Sequence, residues 1–522
     1  MMSSDKETSP DAPKENGEDP VSQASNFNDK SPHTENSPAL LLDTPTSSHP
    51  QRLSKARRIT LCAMMMSTYI LASATTSSTI LNIPSMAEDL QASELAVQWA
   101  SISSGLLVSG RLADLYGRKH LYLLGLFIIC LFSIVSGVLR NRVALCVVRA
   151  FAGLGGSLTL PAAFGIVGVT FTADAERTVA FAILGMGYPI GAALGQIIGG
   201  LIAGAARHGW QYQFFTFAGL ALVLAAIGTI VVPAEAPKKV VSDRRVDWSG
   251  AMIITVALSL FSFSITQGGL VSGGWTNAYI PVLFALSIVL VLLFGLWQNY
   301  VTHHTTLPPI INLSVFHRNG WKVTSIMLSA LTAYTAISGW VYLTSIWYQD
   351  YKHETPIQNV LHVLTAPIVG MCVCILVPIL APRVRAPILL TFGGFFTAAA
   401  CWLFAVEPQG TSYWACEFIA NIVNPFGADF TTGIGSILIS NLASEAEQSL
   451  LGALFQTVIL LSGTIGVCLC SLVQTVATDG GKDLHQALQD GFWMLAGFSW
   501  LSCVVTIVCL RKVGLARDVA KI

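Results

Sequence analysis

Two carboxylates interrupt one of the longest apolar runs in the chain. Glu417 and Asp429 lie within residues 413–442, among Ile, Val, Phe, Gly and Ala. An ionised group in hydrocarbon is costly, so such residues are rare and face a partner, a cavity or a pathway. Taking up and releasing a proton is the chemistry open to a carboxylate in that setting. Asn421 and Asn424 fall four and seven residues after Glu417, on the same helix face. Asp429 points about a third of a turn away, and Pro425 between them can kink the helix. Either Asp429 or Glu417 is expected to carry a coupled proton. The alternatives are a structural polar network between helices and, for Glu417, a place at the outer interface.

Arg149 is a cation in a second apolar run, about 144–171, near enough to its start to snorkel. A structural ion pair is one role open to it. Tyr69, Tyr334 and Trp340, with Asn421 and Asn424, are candidates to line a substrate cavity, since aromatic faces suit apolar or cationic solutes. Core packing or an interfacial belt is the competing role. His303 and His304 are adjacent in an expected cytoplasmic loop, without partners for a metal site. The "GLGGSL" stretch has no strand before it and fails as a dinucleotide fingerprint. No nucleotide-binding motif, cofactor or metal is expected, no nucleic-acid partner, and no enzymatic activity. The energy source would be an ion gradient.

The densest charge between apolar runs is "GRLADLYGRK", residues 110–119. Gly110 permits close helix approach and Gly117 a tight turn. Asp114 can meet a helix N-terminus or an arginine, and Arg118 and Lys119 can meet carboxylates or lipid headgroups. Ion pairs that form in one conformation and break in another make a gate; a plain positive-inside anchor is the alternative.

These residues need elements to hold them. The 522 residues are 53% hydrophobic and 11% charged, with mean hydropathy +0.62. Soluble domains carry about a quarter charged residues, so a polytopic membrane protein is indicated. A hydrocarbon core of roughly 30 Å needs about 20 apolar residues per helix. Fourteen runs qualify: about 59–83, 97–113, 121–139, 144–171, 180–203, 214–232, 250–266, 279–298, 323–348, 358–380, 388–406, 413–442, 451–475 and 491–511. Continuous runs mean helices rather than a β-barrel. All eleven cysteines fall within them and read as apolar packing. With the N-terminus inside, inner segments hold 20 Lys and Arg and outer loops 5, as the positive-inside rule requires. Residues 1–50 have the composition of a disordered cytoplasmic tail. The expected organisation continues with a six-helix bundle (51–232), a cytoplasmic linker (233–249), two additional helices (250–310), a second six-helix bundle (311–511) and a tail (512–522).

The decapeptide resembles the loop 2–3 signature of the major facilitator superfamily, which implies a gate role for Gly110, Arg111, Asp114, Gly117, Arg118 and Lys119. "RAFAGLGG" resembles the family's arginine motif, placing Arg149, Gly153 and Gly155 and implying proton coupling at Arg149. "GYPIGAALGQIIGG" resembles its antiporter signature, with Gly187, Gly191, Gly195, Gly199 and Gly200 and with Gln196 where a proline is usual. That motif implies close packing of the fifth span across the bundle interface. Fourteen spans with these motifs resemble the 14-spanner drug:proton antiporter branch. "VDWSGAMIITVALSLFSFSITQGG", "NPFGADFTTGIGSILISN" and "EQSLLGALFQT" are similar to its fungal aminotriazole-resistance and boron-efflux members.

The resemblance implies an all-α major facilitator fold, two six-helix bundles plus two inserted helices. It further implies a monomer exporting a small molecule in exchange for protons, in a fungal plasma membrane or alternatively a vacuolar one. An importer of the same fold and a degenerate, non-transporting paralogue are the rivals. The second is raised by a departure: Trp99 and Gly110 are eleven residues apart, about half a dozen fewer than in the family, and Trp99 to Ala113 as helix rises only about 22 Å.

Overall fold

A computed structural model describes residues 54–82, Met86, Asp89, 106–171, 174–205, 209–233, 245–270, 273–354, 356–444, 447–511 and 513–515. Among them every regular element is helical. The helices are α1 (Lys55–Leu81), α2 (Leu106–Tyr116), α3 (Arg118–Val138), α4 (Arg142–Thr170), α5 (Asp174–Ala205), α6 (Trp210–Val231), α7 (Trp248–Leu270) and α8 (Tyr279–His304). They continue with α9 (Ser314–Ile346), α10 in two pieces (Pro356–Val363 and Thr365–Leu380), α11 (Ala386–Ala405), α12 (Glu417–Leu442), α13 (Gln448–Asp479) and α14 (Leu484–Cys509). The expected tail, most of the linker and the stretch holding Trp99 lie outside the described residues.

Twelve of these helices are long and apolar enough to cross a membrane. The two others are α2, described only from Leu106, and α12. The low hydropathy of α12 has a structural cause: it packs on α9, α10, α11, α13 and α5 and buries most of its surface in protein. At the opposite extreme, α8 is strongly apolar and mostly unburied, because it packs chiefly on α7 and otherwise faces outward. His303 and His304, expected in a loop, form the last turn of α8. An apolar run marks only the part of a helix within hydrocarbon, and the polar turn beyond it continues the backbone ladder.

The packing repeats. α1 packs on α5 and α6, and α3 on α4 and α6; equivalently, α9 packs on α13 and α14, and α11 on α12 and α14. Two equivalent sets of six helices, α1–α6 and α9–α14, therefore flank the inserted pair α7–α8. The crossed contacts repeat too, with α2 against α13 and α10 against α5.

Polar residues fix the ends. The buried Asp247 accepts from the Gly250 amide at 2.8 Å, from Trp297 Nε1 at 3.0 Å and from Gln298 Nε2 at 2.7 Å. One carboxylate thus caps α7 and binds it to α8, and Gln298 Oε1 accepts from the Ile311 amide at the approach to α9. This explains the "VDW" that opens α7. Asp247→Ala would leave several donors without an acceptor, at about 1–3 kcal/mol for each buried group left unsatisfied. We expect a lower midpoint in detergent thermal unfolding and protease cleavage shifted to the α8–α9 connection, with Asp247→Asn milder.

Candidate functional site

The glycine row of α5 sets the first half of the site. A Cβ on Gly187 would lie 2.5 Å from Tyr69 Cβ, and one on Gly191 2.6 Å from the Ile70 carbonyl oxygen; Gly195 and Gly199 meet Ala74 and Ser78 in the same way. The row therefore packs on α1, within its own half, rather than across the interface between halves. The cross-interface contact belongs to the neighbouring face of α5, which carries Tyr188 and Pro189. Gln196 holds the motif's usual proline position, while the proline of this helix is Pro189. Gly200 continues the helix. Gly195→Val would drive two methyl groups into the α1 backbone; such overpacking costs about 1–3 kcal/mol or more. Its expected result is loss of monodisperse protein on size exclusion, with Gly195→Ala less affected.

Midway along the helices the two halves meet. Tyr188 donates its hydroxyl to Gln456 Oε1 at 3.0 Å, joining α5 to α13. Tyr69 packs edge-on to Tyr188 with centroids 5.2 Å apart, and its own buried hydroxyl has no partner of hydrogen-bonding geometry among the described residues. Asp429 of α12 is 6% exposed, and its Oδ2 has no donor among the described residues. Its carboxylate lies beside the Cys374 thiol and over Gly370, where an added Cβ would be 2.9 Å from Oδ2 and 3.2 Å from Pro189 Cβ. Tyr334 donates to the Ala428 carbonyl at 3.3 Å, placing its ring beside Asp429. The structure thus brings Tyr69, Tyr334 and Asp429 toward one junction of α1, α5, α9, α10, α12 and α13. Tyr188, Gln456 and Gly370 complete it. The sequence reading missed them, although the tyrosine within the α5 glycine motif was a visible signal.

Other candidates lie elsewhere. Trp340 is 1% exposed and stacks edge-on to Phe404 in the core between α9, α11 and α14. Arg149 is buried with its guanidinium 5.1 Å from the centroid of Phe214, a cation–π contact between α4 and α6. Glu417 occupies the first turn of α12. It is ion-paired with Lys352, and its Oε1 accepts from Trp347 Nε1 at 3.3 Å. Asn421 donates to the Glu417 carbonyl, and Asn424 offers its carbonyl to Thr397.

At the end of the bundle where α2 turns into α3, the decapeptide joins the two halves. Gly117 has φ 98°, a value that favours glycine, and turns the chain from α2 into α3. Arg118 donates to Asp114 Oδ1 at 2.6 Å, both side chains being 1% exposed, and to Ser449 Oγ at 2.9 Å. Asp114 also accepts from the Ser449 amide at 3.3 Å and the Leu450 amide at 3.0 Å. Those amides are the first turn of α13, where free N–H groups and the helix dipole favour an anion. Gly110 makes room: a Cβ there would lie 2.5 Å from Ala453 Cβ. Arg111 is half-buried within electrostatic reach of Asp114 and Glu447. Lys119 donates to the Thr229 and Val232 carbonyls at 2.7 and 2.8 Å, capping α6 together with Arg57. Arg177 of α5 donates to Asn441 Oδ1 of α12 at 3.3 Å, a second cross-link at this end.

Residues 65–467 match the Major Facilitator Superfamily. A low affinity ammonium transporter of Saccharomyces cerevisiae is 27% identical over 78% of each chain. An aminotriazole resistance protein of the same yeast is 23% identical over 77% of this chain and 73% of its own. In fold, the crystal structure of a human organic anion transporter superposes with TM-score 0.60 over 88% of this chain and 100% of its own, at 13% identity.

Proposed function

Because the chain belongs to the major facilitator superfamily, a family of membrane transporters, we propose that it exports a small molecule in exchange for protons by alternating access between its two six-helix halves. The observation that carries this reading is Asp429. A desolvated carboxylate, with one oxygen that meets no donor among the described residues, stands where α12, α10 and α5 meet, so its surroundings change whenever the halves rock. When the central site opens outward, a proton from outside binds Asp429 and substrate leaves. When it opens inward, substrate binds and the proton leaves to the cytosol. Linkage makes each ligand lower the affinity for the other by the same factor. Tyr69, Tyr188, Tyr334 and Gln456 offer aromatic faces and polar edges to the substrate. Arg149, Glu417 and Asp429 remain the charged candidates for coupling, with Asp429 the one placed between the halves.

The relative with an aminotriazole resistance name supports export of a toxicant, from a plasma membrane or alternatively a vacuolar one. The ammonium transporter relative favours a second reading, a transporter of the same fold that moves a small nitrogenous solute inward. Vesicles with an imposed pH gradient separate the two. Growth of a null strain with and without this chain on a panel of toxicants supplies the substrate. Resistance, and solute accumulating against the proton flow, support the exporter; sensitisation, with solute moving along the proton flow, supports the importer.

A further inference from the structure

The outer end of α12 holds two buried carboxylates and one cation. Glu417 and Glu407 are 0% and 1% exposed and lie within electrostatic reach of one another, and Lys352 pairs with Glu417. Two carboxylates in contact with one ammonium leave an excess negative charge that a shared proton removes. Glu407, in the connection between α11 and α12, has its pKa raised by burial and then by the adjoining Glu417, against a smaller opposite effect of Lys352. The Lys352 side chain is 23% exposed, which opens the group to the outer medium. Tyr348, in the π-helical turn that follows α9, and Tyr413 and Cys416 also face Glu417, and Asp483 and Glu407 both act on the neighbouring Tyr351.

Below this cluster, α12 carries a row of buried oxygens without donors among the described residues: Glu417 Oε2, Asn421 Oδ1, Asn424 Oδ1 and Asp429 Oδ2. Buried acceptors are normally satisfied, and where protein supplies no donor, water does. Successive axial rises along the helix are about 6, 4.5 and 7.5 Å, about 18 Å in all; one or two waters can bridge each of the first two steps, and the last, which also turns about 140° around the axis, takes a longer water chain. The last step turns about the Pro425 site, where the missing N–H frees a carbonyl for the same purpose. Around Asp429 the facing titratable groups are Cys374 of α10 and Tyr334 of α9, with Tyr188 of α5 beyond Tyr334.

We propose that the polar row of α12 is the outer proton path, in which Glu407, Glu417 and Lys352 hold a proton taken from the medium and Asn421 and Asn424, through water, relay protons to Asp429. This rests on Asp429 as the proton carrier. The proton itself serves as probe. Protein reconstituted in liposomes receives an external pH jump, and the carboxyl infrared band that Asp429→Asn removes is followed in time. Asn421→Leu and Asn424→Leu should slow its protonation about tenfold or more without changing its final extent, while Asn421→Ser and Asn424→Ser, which keep a polar atom in the row, should stay near the parent rate. Unchanged rates in the leucine variants, or equally slow serine variants, overturn the path and leave Asp429 as the carrier. Absence of any band sensitive to Asp429→Asn overturns both readings.

Discussion

Asp429→Asn is expected to uncouple transport from the proton gradient while leaving exchange of substrate for substrate intact. Asparagine matches the shape of the carboxyl but cannot gain or lose a proton, so the site keeps its packing against Gly370 and Cys374. Coupling free energies between sites are typically about 1–3 kcal/mol, or about 5–150-fold in affinity. That factor should vanish: substrate binding at pH 5.5 and pH 8 should become equal in Asp429→Asn and differ in the parent. The sign is fixed by competition, so the parent should bind substrate more weakly at the lower pH. Glu417→Gln is the control, because Glu417 stands about 18 Å along the helix at the outer rim; it should keep the pH dependence of equilibrium binding. Should Asp429→Asn retain a pH-dependent affinity and accumulate substrate against the gradient, the proton is carried elsewhere and Arg149 or Glu417 returns as the candidate.

The helical architecture was legible in the sequence because the apolar length of each span is set by the bilayer itself. The decapeptide stood out because it sets opposite charges at fixed spacing beside a glycine turn, and the Asp114–Arg118 pair and the Gly117 turn are where that spacing puts them. What a single sequence does not state is which partner each face meets. The glycine row of α5 announces close packing, yet nothing in it says whether α1 or the opposite half supplies the neighbour; the structure gives it α1. Trp340 and Tyr334 read alike as aromatics six residues apart on one helix, but one enters the α9–α11–α14 core and the other reaches Asp429. Glu417 and Asp429 likewise share one apolar run. Their difference lies in depth and in the helices around them, and the former appears only when Lys352, 65 residues earlier, arrives beside Glu417. Gln456 was passed over because a lone glutamine in an apolar run carries no spacing signal until Tyr188 is placed against it.

The second large effect is expected at the latch. Asp114 is shared by three donors from two halves of the molecule: the Arg118 guanidinium, and the Ser449 and Leu450 amides of α13. Asp114→Ala strands the buried Arg118 charge and the start of α13 together. Breaking a buried ion pair by removing one partner costs about 3–5 kcal/mol, which at about 1.4 kcal/mol per tenfold exceeds a hundredfold shift toward conformations in which the cytoplasmic end is open. Transport requires both states, so turnover should fall steeply. A thiol-reactive probe entering from the cytoplasmic side should label a cysteine placed at Ser157, on the inner face of α4, far faster than in the Asp114 parent carrying the same cysteine. Because the closed state is held by charge as well as by hydrogen bonds, Asp114→Asn should restore only part of the loss, and Arg118→Lys should fail to restore it, since a lysine cannot serve Asp114 and Ser449 Oγ with one planar fork. Lys119→Ala tests the alternative that this loop is merely an electrostatic anchor. Its ammonium caps α6 within one half and crosses no interface, so it should lower thermal stability by about 1 kcal/mol and leave probe entry at the parent rate. Equal losses of turnover in Lys119→Ala and Asp114→Ala, with labelling unchanged in both, would make the segment an anchor and leave the closure of the cytoplasmic end to Arg177 and Asn441.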